Sequence, residues 1–270
     1  MTSDLNFRRD KIFDTIVRSY IETAEPVGSR TIAKHSHLGL SPASIRNVMS
    51  DLEEQGFLKQ PHTSAGRVPT DKGYRYWVDR LMEREELSEE EKDGIRAELG
   101  KVKTISGLAD KVSKLISDLT DNAAILYIKN FKRVSFLTHL LEDLVESQKL
   151  SDFLEEEPEL FIEGASRIFE QPEFQDLASM RLLLQTFDSK LSFFQIFVKD
   201  LEEEGVHIHI GSENALGNLG NVSLVVKDCY LGKIAFGGVA VVGPTRMEYS
   251  KAVSVIDFVA DSVSEAVQKL

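Results

Sequence analysis

Apolar residues recur at helical spacing through residues 8–23, where Ile12, Phe13, Ile16, Val17, Tyr20 and Ile21 fall among charged positions and predict an amphipathic helix. The string Glu25-Pro26-Val27-Gly28-Ser29 ends it. Ser29 is placed to cap a second short helix over 30–37, with Ile32 and Ala33 inward. Gly39-Leu40 leads to a third helix, for which Ser41 is a good N-cap and Pro42 suits the first turn, where no backbone donor is needed. Its inner stripe is Ile45, Val48, Met49 and Leu52, and Gly56 stops it. That leaves Ser44, Asn47 and Ser50 outward, with Arg46 on the flank. Residues 57–59 and 67–69 then read as two short strands around a tip rich in turn formers, an edge ribbon in which Pro61 and Pro69 are tolerated. Thr70 caps a further helix over 71–84, with Tyr74, Trp77, Val78 and Leu81 apolar.

Beyond this point the pattern changes. Residues 83–91 are dense in glutamate and read as a solvated linker or helix start. A long amphipathic helix over 99–119 carries Val102, Ile105, Leu108, Ala109, Val112, Leu115, Ile116 and Leu119, and is able to join domains or pair with its own copy. Residues 123–128 read as a buried strand, 136–153 as helix, Phe161-Ile162 as a strand and 172–201 as two helices. Period-two alternation marks 206–210 as a half-exposed strand. Two more strands, 222–227 and 234–242, flank the hairpin turn Tyr230-Leu231-Gly232-Lys233. Thr245-Arg246-Met247-Glu248 has a capping-box pattern opening a final helix to Leu270. The expected organisation is 1–86, a winged helix-turn-helix; 87–120, a linker and long helix; and 121–270, an α+β domain.

Charge sharpens this division. The net charge is −12, but residues 1–80 hold 12 Lys or Arg against 10 Asp or Glu, a net of +2, while 81–270 hold 20 against 34, a net of −14. The first part is therefore free to approach phosphate, though +2 is modest and calls for clustering on one face or two copies acting together. A single cysteine, Cys229, precludes an internal disulfide and fits a reducing cytoplasm. No apolar run reaches the roughly 18 residues of a membrane span, and the first residues are too polar for a signal peptide.

A helix that opens with small polar residues plus Arg and Asn is shaped for a DNA major groove, because bulky residues would hold it off the base edges. Arg46 suits guanine and Asn47 adenine, with Ser41, Ser44 and Ser50 beside them. Arg30 and Thr31, at the second helix's start, and His62, Thr63, Ser64 and Arg67, on the ribbon, are candidates for phosphate or minor-groove contact. Other constellations read as structure. The pairs His35/His37 and His207/His209 lack nearby partners to complete a metal set, Cys229 reads as a small strand-end residue, and Gly237-Gly238 lacks the Lys-Ser or Lys-Thr sequel of a phosphate loop. No catalytic set, metal site or cofactor motif stands out, and an enzyme is not expected.

Five separated segments carry a family resemblance: Glu25-Pro26-Val27-Gly28-Ser29-Arg30; Ser41-Pro42-Ala43-Ser44-Ile45-Arg46-Asn47-Val48-Met49; Ser64-Ala65-Gly66-Arg67-Val68-Pro69-Thr70-Asp71-Lys72-Gly73-Tyr74-Arg75; Ile162-Glu163-Gly164-Ala165-Ser166 with Gln171-Pro172-Glu173-Phe174; and Gly243-Pro244-Thr245-Arg246-Met247-Glu248-Tyr249. In this order the chain resembles the bacterial heat-inducible transcription repressor HrcA family. The resemblance implies a GAF-like second domain and a cytoplasmic homodimer. It also implies repression of heat-shock genes through double-stranded DNA, an inverted-repeat operator ahead of chaperone genes. The chaperonin GroEL would keep the repressor active, with release on heat stress. The family's usual middle region is longer and contains an inserted dimerising subdomain, which the short stretch between the 123–128 strand and Phe161 implies is reduced or absent here. Two other readings compete: a ligand-sensing winged-helix regulator with a small-molecule site in the second domain, and a winged-helix module for protein interaction.

Overall fold

A computed structural model describes residues 2–35, 39–128, 159–188, 205–214, 220–232 and 234–269. Its mixed helix and sheet form two compact units, Met1–Glu83 with Thr245–Glu248, and Arg84–Pro244 with Tyr249–Leu270. Residues 87–120 thus cluster with the second unit. The expected helix over 136–153 and the later part of 172–201 lie outside the described residues.

In the first unit, three helices, α1 (Thr2–Thr23), α2 (Ser29–His35) and α3 (Pro42–Glu54), are followed by a two-stranded ribbon, β1 (Leu58–Lys59) and β2 (Val68–Pro69), and by α4 (Asp71–Arg80). The apolar stripes meet as the periodicity requires. Ile12, Phe13, Ile16 and Val17 of α1, Ile32 of α2, Ile45, Met49 and Leu52 of α3, Leu58 and Val68 of the ribbon, and Tyr74 and Trp77 of α4 are all buried. Each contributes about 1.5–3 kcal/mol of favourable transfer before entropy is charged against it. Trp77 adds a polar tie, its indole Nε1 donating to Asp14 Oδ1 at 2.8 Å.

The ribbon is antiparallel, with Leu58 opposite Pro69 and Lys59 opposite Val68. One further bridge pairs Val27 with Arg67. That close approach requires Gly66, because a Cβ there would lie 2.4 Å from the Val27 carbonyl oxygen. Three helix limits of this unit differ from expectation, the first being α1, which begins at Thr2 and not at residue 8. Ser29 lies inside α2, and the first bond of that helix runs from Ile32 N–H to the Gly28 carbonyl. Helix α4 ends at Arg80, short of residue 84, because the N–H groups of Leu81 and Met82 both turn back to the Trp77 carbonyl.

The second unit opens with α5 (Glu89–Leu99) and α6 (Ile105–Thr120). The acidic stretch read as a solvated linker or helix start does open a helix at Glu89, where Ser88 and Glu91 satisfy each other's backbone donors in a capping box. The remaining elements are β3 (Ala123–Ile128), β4 (Glu159–Glu163), α7 (Ala165–Phe169), a 3-10 turn Pro172–Phe174, α8 (Leu177–Asp188), β5 (Val206–His209), β6 (Val222–Leu231), β7 (Ile234–Pro244) and α9 (Tyr249–Val267). The strands form one antiparallel sheet in the order β4-β3-β7-β6-β5. One face of the sheet (Ala123, Ile125, Tyr127, Val222, Leu224, Val226, Ala240 and Val242) packs with Ile168, Phe174, Leu183 and Phe187. The alternate residues Ala124, Leu126, Ile128, Val225, Val239 and Val241 are buried as well. On the sheet, α6 meets β3, β4 and β7, and α9 meets β5, β6 and β7.

Two-sided burial explains why 123–128 is a continuous apolar run, whereas all four residues of edge strand β5 are half-buried, so its period-two alternation does not sort into a buried and an exposed face. Helix α9 starts at Tyr249 instead of at the capping-box pattern, whose four residues cluster with the first unit. The apolar stripes of α6 and α9, candidates for pairing with a second copy, are consumed inside this unit: Leu108, Val112 and Ile116, like Val253, Ile256, Val259 and Val263, are buried.

Candidate nucleic-acid interface

Helix α3 is built to hold one face in and offer the other. Ser41 caps it, its Oγ accepting from Ser44 N–H at 3.1 Å, and Pro42 occupies the first turn. With Ile45, Met49 and Leu52 locked inward, Ala43, Ser44, Arg46, Asn47 and Ser50 are left exposed. Ser41 and Ser44 are also exposed, yet their hydroxyls face each other at 3.0 Å and are partly committed to the cap. Arg46, Asn47 and Ser50 remain as the helix's outward hydrogen-bonding set.

A groove of about 590 Å³ runs beside this face, lined by Ser29 and Arg30 of α2, Arg46 and Ser50 of α3, and Gln60, Thr63, Ser64 and Arg67 of the ribbon. It brings together six of the residues singled out from sequence: Arg30, Arg46, Ser50, Thr63, Ser64 and Arg67. Thr31, Ser41, Ser44, Asn47 and His62 are exposed but lie outside its lining. Helix α2 spans only seven residues, so Arg30 and Thr31 stand as side chains on a short helix and not as a helix-terminus anion site.

Arg67 departs from the picture of a cation waving at the ribbon tip. Its main chain exchanges two 2.9 Å hydrogen bonds with Val27. Its Nε donates to Glu53 Oε2 at 2.8 Å, Nη2 forms an ion pair with the same oxygen at 2.8 Å, and its side chain is only 22% exposed. The ribbon tip is ordered from within by Gln60, whose Nε2 donates to the carbonyls of Thr63 at 2.9 Å and Ala65 at 3.0 Å. Neither Glu53 nor Gln60 was singled out from sequence. The signal for Glu53 was present, since Asp51, Glu53 and Glu54 sit at the C-terminal end of α3, where the helix dipole disfavours anions. Gln60 carried no sequence signal, because its partners are carbonyls fixed by the turn.

In the second unit Tyr127, Asp228 and Cys229 are buried. Tyr127 Oη donates to Asp228 Oδ1 at 2.8 Å within the sheet, and burial together with the Asp228 charge pushes the phenol's pKa up. Cys229 is buried in β6, at a β-bulge instead of at the strand end, and burial raises its thiol in the same direction. Neither supplies a nucleophile near neutral pH. Among the described residues no group of three or more His, Cys, Asp or Glu is placed to hold a metal, and no helix is long and apolar enough to cross a membrane.

The family model of the HrcA protein C-terminal domain matches residues 128–253. Over nearly the whole chain, identity is 32% to the heat-inducible transcription repressor HrcA of Pelotomaculum thermopropionicum, covering 98% of each protein. The chain belongs to the HrcA family. To the HrcA of Geobacter sulfurreducens it is 31% identical, over 98% of this chain and 99% of that one. The alignment to the first of these HrcA proteins runs over 340 positions against a chain of 270 residues, so at least 70 positions have no counterpart here. A crystal structure of a hypothetical protein shares the fold of this HrcA chain with a TM-score of 0.70 at 21% identity, covering 100% of this chain and 99% of that one.

Proposed function

We propose that the first unit is a winged helix-turn-helix and that the chain is a sequence-specific, DNA-binding repressor of heat-shock genes. Helix α3 is the reading element, β1 and β2 are the wing, and the second unit is a GAF-like domain. The observation that carries this reading is the division of α3 into a buried apolar stripe and an exposed face bearing Arg46, Asn47 and Ser50 beside an arginine-lined groove. A major groove accommodates such a helix, Arg and Asn offer bidentate bonds to guanine and adenine, and the groove's Arg30, Thr63, Ser64 and Arg67 suit phosphate.

Two copies would place two such helices on the half-sites of an inverted repeat ahead of chaperone genes, and occupancy would block transcription. The missing 70 or more positions fit loss of the family's inserted dimerising subdomain, so the pair would meet through another surface. The chaperonin GroEL is the proposed modulator. Heat-destabilised repressor would compete with other clients for it, and a loss of 1–2 kcal/mol changes the unfolded fraction roughly 5- to 30-fold.

The test is a fluorescence-anisotropy titration of the full chain. Its probes are the upstream DNA of the organism's own chaperone operon and a shuffled duplex, with sedimentation fixing the stoichiometry. Preference for the operator, two chains per duplex and loss of both affinity and fold at heat-shock temperature are expected. Equal binding to both duplexes overturns the specificity, and full affinity well above that temperature overturns the heat scheme. Metabolite-dependent stabilisation in a thermal-shift screen would transfer support to the ligand-sensing reading.

A further inference from the structure

Glu53 is an acidic residue in an expensive place. It lies in the last turn of α3, beside the negative end of the helix dipole and on the edge of the surface proposed to meet a polyanion. Charge alone argues against a carboxylate there. The geometry supplies a reason for it. Two nitrogens meet one oxygen: Nε of Arg67 donates to Oε2 of Glu53 at 2.8 Å, and Nη2 lies 2.8 Å from the same atom as an ion pair. Arg67 lines the groove between α2, α3 and the ribbon, while Glu53 does not.

Fastening the ribbon is not what the pair is needed for. The main chain of Arg67 is already held by its two hydrogen bonds to Val27, and Gly66 lets the two backbones approach. What the carboxylate fixes is the plane of the guanidinium. A guanidinium carries five N–H donors in a rigid fork. With Nε–H bonded to Glu53 and Nη2 drawn to the same oxygen, the two hydrogens of Nη1 are left for an incoming acceptor.

We infer that Glu53 is a positioning residue, holding the Arg67 guanidinium in one orientation toward the groove so that it meets a single phosphate of correctly docked DNA. This rests on the DNA-binding reading of the site. A free Arg67 would reach whatever phosphate came near, on any sequence and in any register. A fixed one rewards only the register that α3 selects through Arg46, Asn47 and Ser50, and the adjacent carboxylate repels a backbone that arrives elsewhere. Glu53 therefore contributes to discrimination more than to affinity.

The experiment measures affinities of the full chain for chaperone-operon DNA and for a shuffled duplex across a salt series. The proteins are wild type, Glu53→Ala, Glu53→Gln, Arg67→Ala and the Glu53→Ala/Arg67→Ala double variant, with thermal melts to confirm folding. In Glu53→Ala the operator-to-shuffled ratio should fall about five- to tenfold, since shuffled DNA gains what the operator loses. Glu53→Gln, which keeps an oxygen to accept from Arg67, should recover part of that loss. In the Arg67→Ala background, Glu53→Ala should change the ratio by less than about twofold, because the residue it positions is gone.

If wild type prefers the operator and Glu53→Ala keeps the wild-type ratio, the positioning role is wrong while the DNA-binding reading stands. The same holds if the Glu53 effect persists without Arg67. If wild type shows no preference at all, the reading of the site fails and the inference falls with it.

Discussion

The two units dispose of their polar side chains in opposite ways. In the first, Arg46, Asn47, Ser50, Thr63 and Ser64 stand outside a small core, with their hydrogen-bonding capacity turned to solvent. In the second, Tyr127, Asp228, Ser223 and Cys229 lie inside a sheet covered on both faces. A buried hydroxyl or carboxylate with a partner specifies packing. The same group on a rigid exposed helix, with nothing to satisfy it but water, is available to a macromolecule. The contrast fits the proposed DNA-binding face on the first unit, and it implies that damage to the two units should separate.

The largest test of that separation is Trp77→Ala. Trp77 is fully buried and hydrogen-bonded to Asp14, so removing it should cost roughly 3–5 kcal/mol. Hydrogen exchange on the full chain should show protection lost over the first unit, with β3, β6 and β7 still protected. Simultaneous loss in both units would mean that the chain unfolds as one body, and the comparison would fail.

The converse substitution is Gly238→Ala in the second unit. A Cβ at that position would lie 2.4 Å from Cε1 of the Tyr127 ring and 3.0 Å from Asp228 Oδ1. Displacing that pair should destabilise the sheet by about 1–3 kcal/mol. Wild-type sequence preference should persist in band-shift assays run well below the melting temperature. A loss of operator discrimination in a folded Gly238→Ala protein would show that the buried sheet shapes the DNA-binding face.

At the surface itself, Asn47→Ala should leave the melting temperature within experimental error and cost about 1–3 kcal/mol of operator affinity, concentrated at one base pair. Equal losses on operator and shuffled DNA would remove Asn47 from any reading role.

The same contrast governs what the sequence revealed. Helices α1, α3 and α4 were legible because their apolar stripes are separated by solvent-facing residues, and Ser41 and Thr70 announce themselves as caps. The exposed face of α3 was legible for the same reason: what is not needed inside is left outside. The short ribbon was legible from Pro61, Gly66 and Pro69. The pairing of Arg67 with Glu53 was not, because a contact between residues fourteen positions apart depends on how a ribbon folds back on a helix. Nor was the fate of α6 and α9. An apolar stripe looks the same whether it will meet a sheet or a second chain, and only the sheet's second buried face decides it. The capping box at Ser88 was missed because the run of glutamates around it resembles a solvated linker, although Glu91 stands at the spacing such a box requires.

That box supplies the smallest effect, and it belongs to the second unit alone. The Glu91 carboxylate accepts from Lys251 Nζ, and also from Ser88 N–H at 2.8 Å and Ser88 Oγ at 2.9 Å. Lys251 comes first among the causes that hold its pKa down to about 2, from an ordinary 4.5. A carboxyl whose folded value is depressed stabilises the native state fully above its unfolded value and loses that contribution as the pH falls toward the folded one. The window here is therefore from about pH 4.5 down to about 2. Solvent screening keeps a pair of this kind at roughly 1 kcal/mol or less. In Glu91→Gln the denaturant midpoint of the second unit, followed by far-UV circular dichroism, should be lower near neutral pH and should approach wild type at the acid end. The only tryptophan, Trp77, reports on the first unit, and its fluorescence transition should be the same in both proteins at every pH. A shift of the Trp77 transition with Glu91→Gln would show that acid stability is shared between the units and would blunt the distinction between them.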